Sequence, residues 1–316
     1  MFISLFAAMS MTMDADVVEY NTNGFEFELD TETKTAKLAE YCGSAKEVVI
    51  PGSVTYNDVA YSVTSIGHDC FWGCSSLKSI KIPSSVTYLD WGCFRLCSSL
   101  ESIDIPSSVK SLGDLCFEGC SSLTSITIPS SVISIGKSCF LYCESLTSII
   151  IPSSITSLNY DTFGGCSSLV SIDIPSSVTS IGRECFAGCH SLKSITIPSS
   201  VKSLGQWCFA ECVSLESVTC EIPTAIAGDF FWICPIDQCI LNVPMTSLES
   251  YRNTSPWNGF GAILPIYSTG IEGNIVGKSN NINAIYNLEG KKNNSIKSGL
   301  NILRMSDGST RKIMRK

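Results

Sequence analysis

The sequence predicts a β-rich solenoid, in which short coils of chain stack on one another along a single axis. Leucine recurs every 23 residues, and each copy begins a near repeat of the same segment. These leucines are Leu77, Leu100, Leu123, Leu146, Leu169, Leu192 and Leu215. A fixed period of about 20 to 29 residues is typical of solenoids. The composition agrees, because 44% hydrophobic and only 16% charged residues indicate a well-buried chain.

One coil contains two short extended segments that are joined by a proline turn. Residues 123–128 alternate in polarity, so the two isoleucines are expected to face inward and Thr127 to face solvent. Pro129 ends this strand, because proline donates no ladder hydrogen bond. Residues 132–135 then predict a second short strand. Short parallel strands are therefore expected in every coil.

The turn that leads to the next coil carries two further repeated columns. The first holds only Gly, Asp or Asn, which tolerate positive φ, so we expect a left-handed backbone there. Its members are Gly67, Asp90, Gly113, Gly136, Asn159, Gly182 and Gly205. The second column is always phenylalanine and predicts a continuous aromatic spine within a short helical or 3₁₀ turn. Its members are Phe71, Phe94, Phe117, Phe140, Phe163, Phe186 and Phe209.

The start of the repeat array departs from the pattern in a way that indicates a cap. We assign residues 16–42 to an N-terminal capping hairpin, with strands over 25–29 and 35–38. The solenoid is assigned to residues 43–245. Its first coil contains a nine-residue insertion near residues 56–61.

The far end of the array also predicts a cap, which we assign to residues 246–267. Thr246 and Glu249 fit a capping box that opens a short helix. Trp257 and Phe260 are expected to close the core at this end.

The two terminal segments differ from the body in composition. Residues 1–15 resemble the apolar part of a secretory signal peptide that lacks its basic start. Residues 268–316 hold nine Lys or Arg against three acidic residues, a charge of +6, whereas the rest of the chain carries −14. An acidic body argues against nucleic acid as a partner. No apolar run reaches the roughly 18 residues of a membrane span. We expect an exported monomer with a basic sorting or anchoring segment.

Thirteen of the 17 cysteines fall into two columns of the repeat. The first holds Cys70, Cys93, Cys116, Cys139, Cys185 and Cys208, and the second holds Cys74, Cys97, Cys120, Cys143, Cys166, Cys189 and Cys212. Thr162 replaces cysteine once, so the site favours a small buried side chain, which free cysteine provides. A metal site at His68, Cys70 and Cys74 is disfavoured, because zinc sites more often use two-residue spacing and four ligands. Disulfides between stacked coils are an alternative, since rungs lie about 4.8 Å apart.

The outward positions of the first strand form two columns whose residues vary. One column is Lys78, Glu101, Thr124, Thr147, Val170, Lys193 and Glu216, and the other is Lys81, Asp104, Thr127, Ile150, Asp173, Thr196 and Thr219. Opposite charges on adjacent rungs, such as Lys78 and Glu101, are expected to pair across the ladder. The candidate binding residues are Lys78, Lys81, Glu101, Asp104, Thr127, Ile150, Asp173 and Thr196.

These columns contain no evident catalytic arrangement. Asp104 and Asp173 are expected about 14 Å apart, three rungs along the sheet, whereas glycosidase carboxylates need about 5–9.5 Å. His190 replaces a turn serine and has no apparent partner in the sequence. Ice binding by the Ser and Thr array is a further alternative, but charged residues and Ile150 interrupt the array.

The repeat Leu-x-Ser-Ile-x-Ile-Pro-Ser-Ser-Val-x-Ser-Ile-Gly-x-x-Cys-Phe-x-x-Cys closely resembles the BspA-type leucine-rich repeat over residues 43–245. One departure is cysteine where that family commonly has alanine before phenylalanine. Residues 241–257 resemble the closing segment of such proteins in Bacteroidetes. Residues 285–291 and 299–309 resemble the C-terminal sorting segment of type IX secretion. The resemblance implies a right-handed leucine-rich repeat coil in a cell-surface protein that adheres to host matrix proteins or other cells.

The sequence thus predicts a non-enzymatic interaction protein that is extracellular or associated with the outer membrane, without cofactor or metal. Its partner would be a protein or glycan on host or neighbouring cells, bound through the exposed strand columns. A carbohydrate-binding or carbohydrate-active solenoid is the alternative.

Overall fold

A computed structural model describes residues 17–266 and the backbone of four strands between residues 282 and 315. The chain divides into two compact units, Met1–Ile266 and Tyr267–Lys316. The signal segment predicted at residues 1–15 lies outside the described residues.

The first unit opens with an antiparallel meander of three strands, β1 (Val17–Thr22), β2 (Phe25–Asp30) and β3 (Thr35–Tyr41). Alternation along β2 turns Phe27 and Leu29 inward, and both side chains are fully buried. The predicted hairpin is therefore confirmed, and β1 adds a third strand outside it.

The first coil contains β4 (Glu47–Val49), β5 (Ser53–Tyr56) and β6 (Val59–Ile66). Strands β5 and β6 pair antiparallel, and the two residues between them, Asn57 and Asp58, have φ of 49° and 60°. Two residues of positive φ form the turn that matches the twist of a tight hairpin. The nine-residue insertion is thus a β-hairpin. Strand β6 also pairs in parallel with β3, which joins the meander to the solenoid.

The coils that follow contribute two- to four-residue strands to parallel sheets. The strands are β7 (Ser79–Lys81), β8 (Tyr88–Leu89), β9 (Ser102–Asp104), β10 (Ser111–Leu112), β11 (Ser125–Thr127), β12 (Ser134–Ile135), β13 (Ser148–Ile150), β14 (Ser157–Leu158), β15 (Ser180–Ile181), β16 (Ser194–Ile197), β17 (Ser203–Leu204) and β18 (Ser217–Cys220). The first sheet contains β4, β7, β9, β11, β13, β16 and β18, and isolated bridges at Asp173 join β13 to β16. The second sheet continues from the meander through β6, β8, β10 and β12, whereas β14, β15 and β17 pair in a separate three-stranded sheet.

Each strand residue pairs with the residue 23 positions later in the sequence, so equivalent residues of neighbouring coils lie side by side. Ile126 pairs with Ile149, and Thr127 pairs with Ile150. Ile126 and Ile128 are buried at 6% and 4% exposure, as the alternation predicts. The structure is a β-solenoid of about ten stacked turns with little helix, which confirms the predicted fold class.

Glycine recurs at the start of each turn because the coils approach closely there. A Cβ atom on Gly136 would lie 2.3 Å from the Asp114 nitrogen and 2.4 Å from the Gly113 carbonyl carbon. The prediction of left-handed backbone at this column is wrong, because its members do not have positive φ. These members are Gly67, Asp90, Gly113, Gly136, Asn159, Gly182 and Gly205.

Left-handed residues occur instead at two other positions of each turn. The first position holds Asp69, Gly92, Leu115, Ser138, Asp161, Glu184 and Trp207, and the second holds Gly73, Leu96, Gly119, Tyr142, Gly165, Gly188 and Glu211. In the first repeat the N–H groups of Asp69, Phe71 and Gly73 all donate to carbonyls of the next coil. Alternating backbone conformation thus gives the turn segments their own hydrogen-bond ladder between coils.

The predicted phenylalanine spine is confirmed. Neighbouring rings from Phe71 to Phe209 stack with centroids 5.3 to 5.6 Å apart and planes within 19° of parallel. The stack continues to Tyr41 at one end and to Phe231 at the other, at centroid distances of 5.0 and 5.4 Å. The sequence pattern does not predict these two members of the stack, because neither keeps the 23-residue spacing.

All 17 cysteines are free in the described part of the chain, and most are buried. Thiols of the second column donate to the phenylalanine carbonyl of the preceding coil, as Cys143 does to Phe117 at 3.2 Å. Cys93 and Cys116 of the first column lie 3.4 Å apart between sulfur atoms. Burial raises the pKa of these thiols, to about 12 for Cys166. Because the thiols stay protonated, each can act as a weak S–H hydrogen-bond donor, which an alanine in the same column would lack.

The C-terminal cap contains β19 (Ile240–Pro244), helix α1 (Leu248–Arg252) and β20 (Ala262–Ile266). Short 3₁₀ helices span Ile236–Gln238, Met245–Ser247 and Trp257–Gly259. Trp257 is fully buried and Phe260 is 7% exposed, and both rings pack against Phe231. The predicted closure of the core by these two aromatic residues is confirmed.

The predicted capping box at α1 is wrong. The N-cap residue is Ser247 rather than Thr246, and no side chain caps the helix. The Ser247 hydroxyl instead donates to the Pro223 carbonyl at 2.6 Å. This hydrogen bond from a buried serine therefore links the start of helix α1 to the preceding segment of the solenoid.

The second unit contains β21 (Ile282–Tyr286), β22 (Lys292–Asn293), β23 (Gly299–Met305) and β24 (Thr310–Arg315), in antiparallel order β22-β21-β23-β24. The predicted sorting segments fall partly on these strands and partly outside the described residues. Their role in type IX secretion stays a prediction.

Candidate interaction surface

The outward side of the first sheet forms one continuous surface, which we call the strand face. One column of equivalent residues runs across every rung of it, and each member pairs with the next. The column reads Val49, Lys81, Asp104, Thr127, Ile150, Asp173, Thr196, Thr219, Asn242 and Leu264. Asn242 continues the predicted column by one period, and Val49 and Leu264 extend it further at its two ends, where the 23-residue period does not hold.

All eight candidate binding residues lie exposed on the strand face. They are Lys78, Lys81, Glu101, Asp104, Thr127, Ile150, Asp173 and Thr196. The last four occupy consecutive rungs and form a contiguous strip. The structure thus brings the candidates together on one side of the solenoid.

Charged residues occupy the two flanks of this surface. Lys78 pairs with Glu101 at 2.6 Å, and Lys193 pairs with Glu216 at 3.7 Å, as the sequence predicts. The hydrogen bond that Lys78 donates to the Glu101 carboxylate raises the pKa of Lys78. Lys81 lies beside Asp104 in register but forms no ion pair with it among the described side chains. Exposed pairs of this kind contribute little to stability.

The middle of the strand face exposes two aliphatic side chains. Ile150 is 75% exposed and Val170 is 45% exposed, although both belong to aliphatic types that usually pack inside. Threonines at positions 124, 127 and 147 lie on one side of them, and Asp173 lies beside Ile150 on the next rung. An exposed apolar centre between charged flanks has the layout of a protein interface, with a desolvated middle and a polar rim.

The strand face does not gather groups for acid–base catalysis. Asp104 and Asp173 are separated by the rungs of Thr127 and Ile150, so they lie about 14 Å apart. His190 lies on the turn side of the coil, and its Nε2 is 4.0 Å from Glu211 Oε2. The histidine therefore has a partner, which the sequence did not reveal because it lies on the next coil.

Ligand-type side chains come together elsewhere in the described chain, on the N-terminal meander. The ligand atoms of Glu26, Glu40 and Cys42 all lie within 4.8 Å of one another on its surface. The motif weighed in the sequence, with His68 exposed and Cys70 buried, does not form such a group. Neither arrangement provides the four gathered ligands of a structural zinc site.

Comparison with protein families identifies the repeat. The model of the BspA type leucine rich repeat region matches residues 40–169 and 134–254, in six copies. The chain belongs to the BspA type leucine-rich repeat family. Members are repeat proteins suited to protein interaction, which agrees with the architecture of the strand face. No protein with a curated description matches the sequence significantly.

Two solved structures show the same family fold. A leucine-rich repeat protein of T. pallidum is 28% identical, covers 63% of this chain and 91% of its own, and has a TM-score of 0.57. A leucine-rich repeat protein from Bacteroides ovatus is 26% identical, covers 78% of this chain and 76% of its own, and has a TM-score of 0.50. Among the described residues, no helix has the length and apolar character needed to cross a bilayer.

Proposed function

We propose that this BspA-type protein is a non-enzymatic adhesin that acts outside the cell or at its surface. It would bind a protein of the host matrix or of a neighbouring cell through the strand face. The observation that carries the proposal is the exposure of Ile150, 75% of whose surface is open to solvent at the middle of that face. An isoleucine in this position gains by being covered, because burying an aliphatic side chain is worth about 1.5–3 kcal/mol.

The arrangement around Ile150 supports a protein as the partner. Paired charges flank the apolar centre, so a partner could cover the middle while leaving the rim in water. Removal of one such central side chain from an interface often costs 2 kcal/mol or more, whereas rim charges cost little. The strand face therefore has one expected hot spot.

Binding can be tested on an array of extracellular matrix proteins and glycans. The wild-type chain should bind at least one protein on the array, and Ile150→Ser should weaken that binding about tenfold or more. Ile133→Ser is the matched control, because Ile133 belongs to the neighbouring repeat and is 65% exposed just before β12, away from the strand face. That variant should bind like the wild type.

A broader variant examines the whole strip. Lys81, Asp104, Ile150 and Asp173 replaced together should abolish binding without lowering the melting temperature, since all four side chains are exposed. Equal binding by this variant and the wild type would refute the strand face as the contact surface. Turnover of any glycan on the array would favour the rival, a carbohydrate-active protein.

A further inference from the structure

The turn segments that carry the phenylalanine spine form a second outer surface, which we call the turn face. Its repeat is interrupted in two successive coils. After the spine phenylalanine, the first four repeats carry Trp72-Gly73, Arg95-Leu96, Glu118-Gly119 and Leu141-Tyr142. The next two carry Gly164-Gly165 and Ala187-Gly188. Large side chains are thus absent from two neighbouring coils.

The interruption leaves a groove of about 510 Å³ on the turn face. Tyr142 forms one end, and its ring reaches over the next coil, since a Cβ on Gly165 would lie 2.4 Å from Tyr142 Cδ1. Glu211 stands at the opposite end, and between them a Cβ on Gly188 would meet only the Gly165 backbone at 3.5 Å and His190 Nε2 at 4.0 Å. Tyr142 is 54% exposed, so its ring is available to a ligand. The volume falls in the usual range of binding pockets, about 300–1,000 Å³.

The groove is acidic. Its carboxylates are Glu144, Asp161, Glu184 and Glu211, and its lining contains neither lysine nor arginine. Glu184 pairs with Arg183 outside the groove at 2.7 Å, and Glu211 has only His190 at 4.0 Å. Glu144 and Asp161 form no ion pair within the described residues. Burial raises the pKa of Asp161, and a nearby cation would counteract that rise.

The spacing of these carboxylates favours an extended ligand over a single metal ion. Among the described residues, no three ligand-type side chains of the groove approach within 4.8 Å of one another. A chain with several cationic groups can instead reach carboxylates on successive coils, which lie about 4.8 Å apart per rung. An aromatic ring beside carboxylates also suits a cation, because the ring face attracts positive charge.

We propose that this groove binds a lysine- or arginine-rich segment of a partner protein, with one cationic side chain over Gly188, between Tyr142 and Glu211, and others at the carboxylates of Glu144 and Asp161. The site is separate from the strand face and does not depend on the function proposed for it. A partner that engages both surfaces would wrap around one side of the solenoid.

The proposal can be tested with fluorescein-labelled octalysine and the full chain, by fluorescence anisotropy. The double variant Glu144→Gln with Asp161→Asn should weaken binding about fivefold, as two partly exposed charge pairs imply. The control, Asp104→Asn with Asp173→Asn, removes the same charge from the strand face and should change binding less than twofold. Equal weakening by both variants would overturn the proposal, because it would indicate attraction by the net charge alone.

A second variant separates shape from charge. Ala187→Leu places in the groove the residue that the repeat carries at Leu141, without changing the charge. It should weaken octalysine binding about fivefold or more, with an unchanged circular dichroism spectrum. If that variant does not fold, Tyr142→Ala takes its place, with the same expected loss. Wild-type affinity in the folded shape variant would also overturn the groove as the binding site.

Discussion

Replacing Gly136 by alanine should destabilise the solenoid more than replacing Gly73 by alanine. The two glycines are required for different physical reasons. Gly73 has φ of +69°, and a Cβ there would meet nothing within 4 Å. Gly136 lacks positive φ, but its Cβ would lie 2.3 to 2.5 Å from backbone atoms of Gly113 and Asp114. The same added methyl group thus causes strain in one case and a collision in the other.

The expected magnitudes follow from these surroundings. A side chain on a left-handed residue costs about 1–2 kcal/mol, so Gly73→Ala should cost about that much. At Gly136 the colliding backbone can move only if the coils separate, and overpacking of this kind costs about 1–3 kcal/mol. Separation would also weaken the bond from Gly136 N–H to the Leu112 carbonyl, now 2.9 Å, by about 1 kcal/mol. Gly136→Ala should therefore cost about 2–4 kcal/mol.

Urea unfolding of both variants, followed by far-ultraviolet circular dichroism, measures the difference. Loss of unfolded-state entropy on replacing glycine is common to both variants, so it cancels in the comparison. The slope of free energy against urea should stay unchanged, which shows that both proteins unfold from the same compact state. A Gly136→Ala variant that is as stable as Gly73→Ala would refute close approach as the reason for this glycine column.

Three further predictions concern the core. Phe140→Ala should lower the free energy of unfolding by about 3–5 kcal/mol, because the ring is fully buried between two stacked neighbours; urea titration measures it. The raised pKa of Cys166, about 12 against 9.0, favours the folded state below pH 9, and this contribution should fall by about 1.4 kcal/mol per pH unit above pH 9. The stability gap to Cys166→Ser should shrink accordingly between pH 9 and 11, and a constant gap would contradict the shift. Asn159→Asp should lower the free energy of unfolding by about 1–3 kcal/mol, because the Asn159 side-chain amide donates a hydrogen bond to the Ile135 carbonyl at 2.6 Å. Asn159→Gly introduces the residue that the neighbouring coils carry at this position, and it should lower the free energy of unfolding less in the same urea titration.

The sequence predicts the solenoid well because stacking repeats the same requirement in every coil. Each inward isoleucine and each spine phenylalanine meets its own copy 23 residues away, so one periodic pattern specifies strand, register and core together. Phe140 and Ile126 are examples, and both lie where the period places them. The strand face follows from the same register, because side chains opposite the buried ones must point outward.

Features that depend on distance between coils are not visible in the sequence. Gly136 could serve a left-handed turn or a close approach, and only the position of Asp114 decides between them. Leu115 and Tyr142 adopt positive φ, although neither is a residue type that usually does so, and the sequence therefore gives no indication of it. Likewise, His190 meets Glu211 because two turns are stacked, although each residue alone resembles an ordinary surface substitution.

The departures from the repeat concentrate around one coil, and this follows from how a solenoid distributes stability. In the coil of residues 146–168, Asn159 replaces glycine, Thr162 replaces cysteine, and Gly164 and its neighbour remove large side chains; at the start of the next coil, Asp173 pairs only through isolated bridges. Each coil contacts only its two neighbours, so the cost of these changes stays local while the other coils hold the structure. This coil carries the exposed Ile150 on the strand face and part of the acidic groove on the turn face. The most irregular coil is therefore the place where the two proposed binding surfaces come closest to each other along the chain.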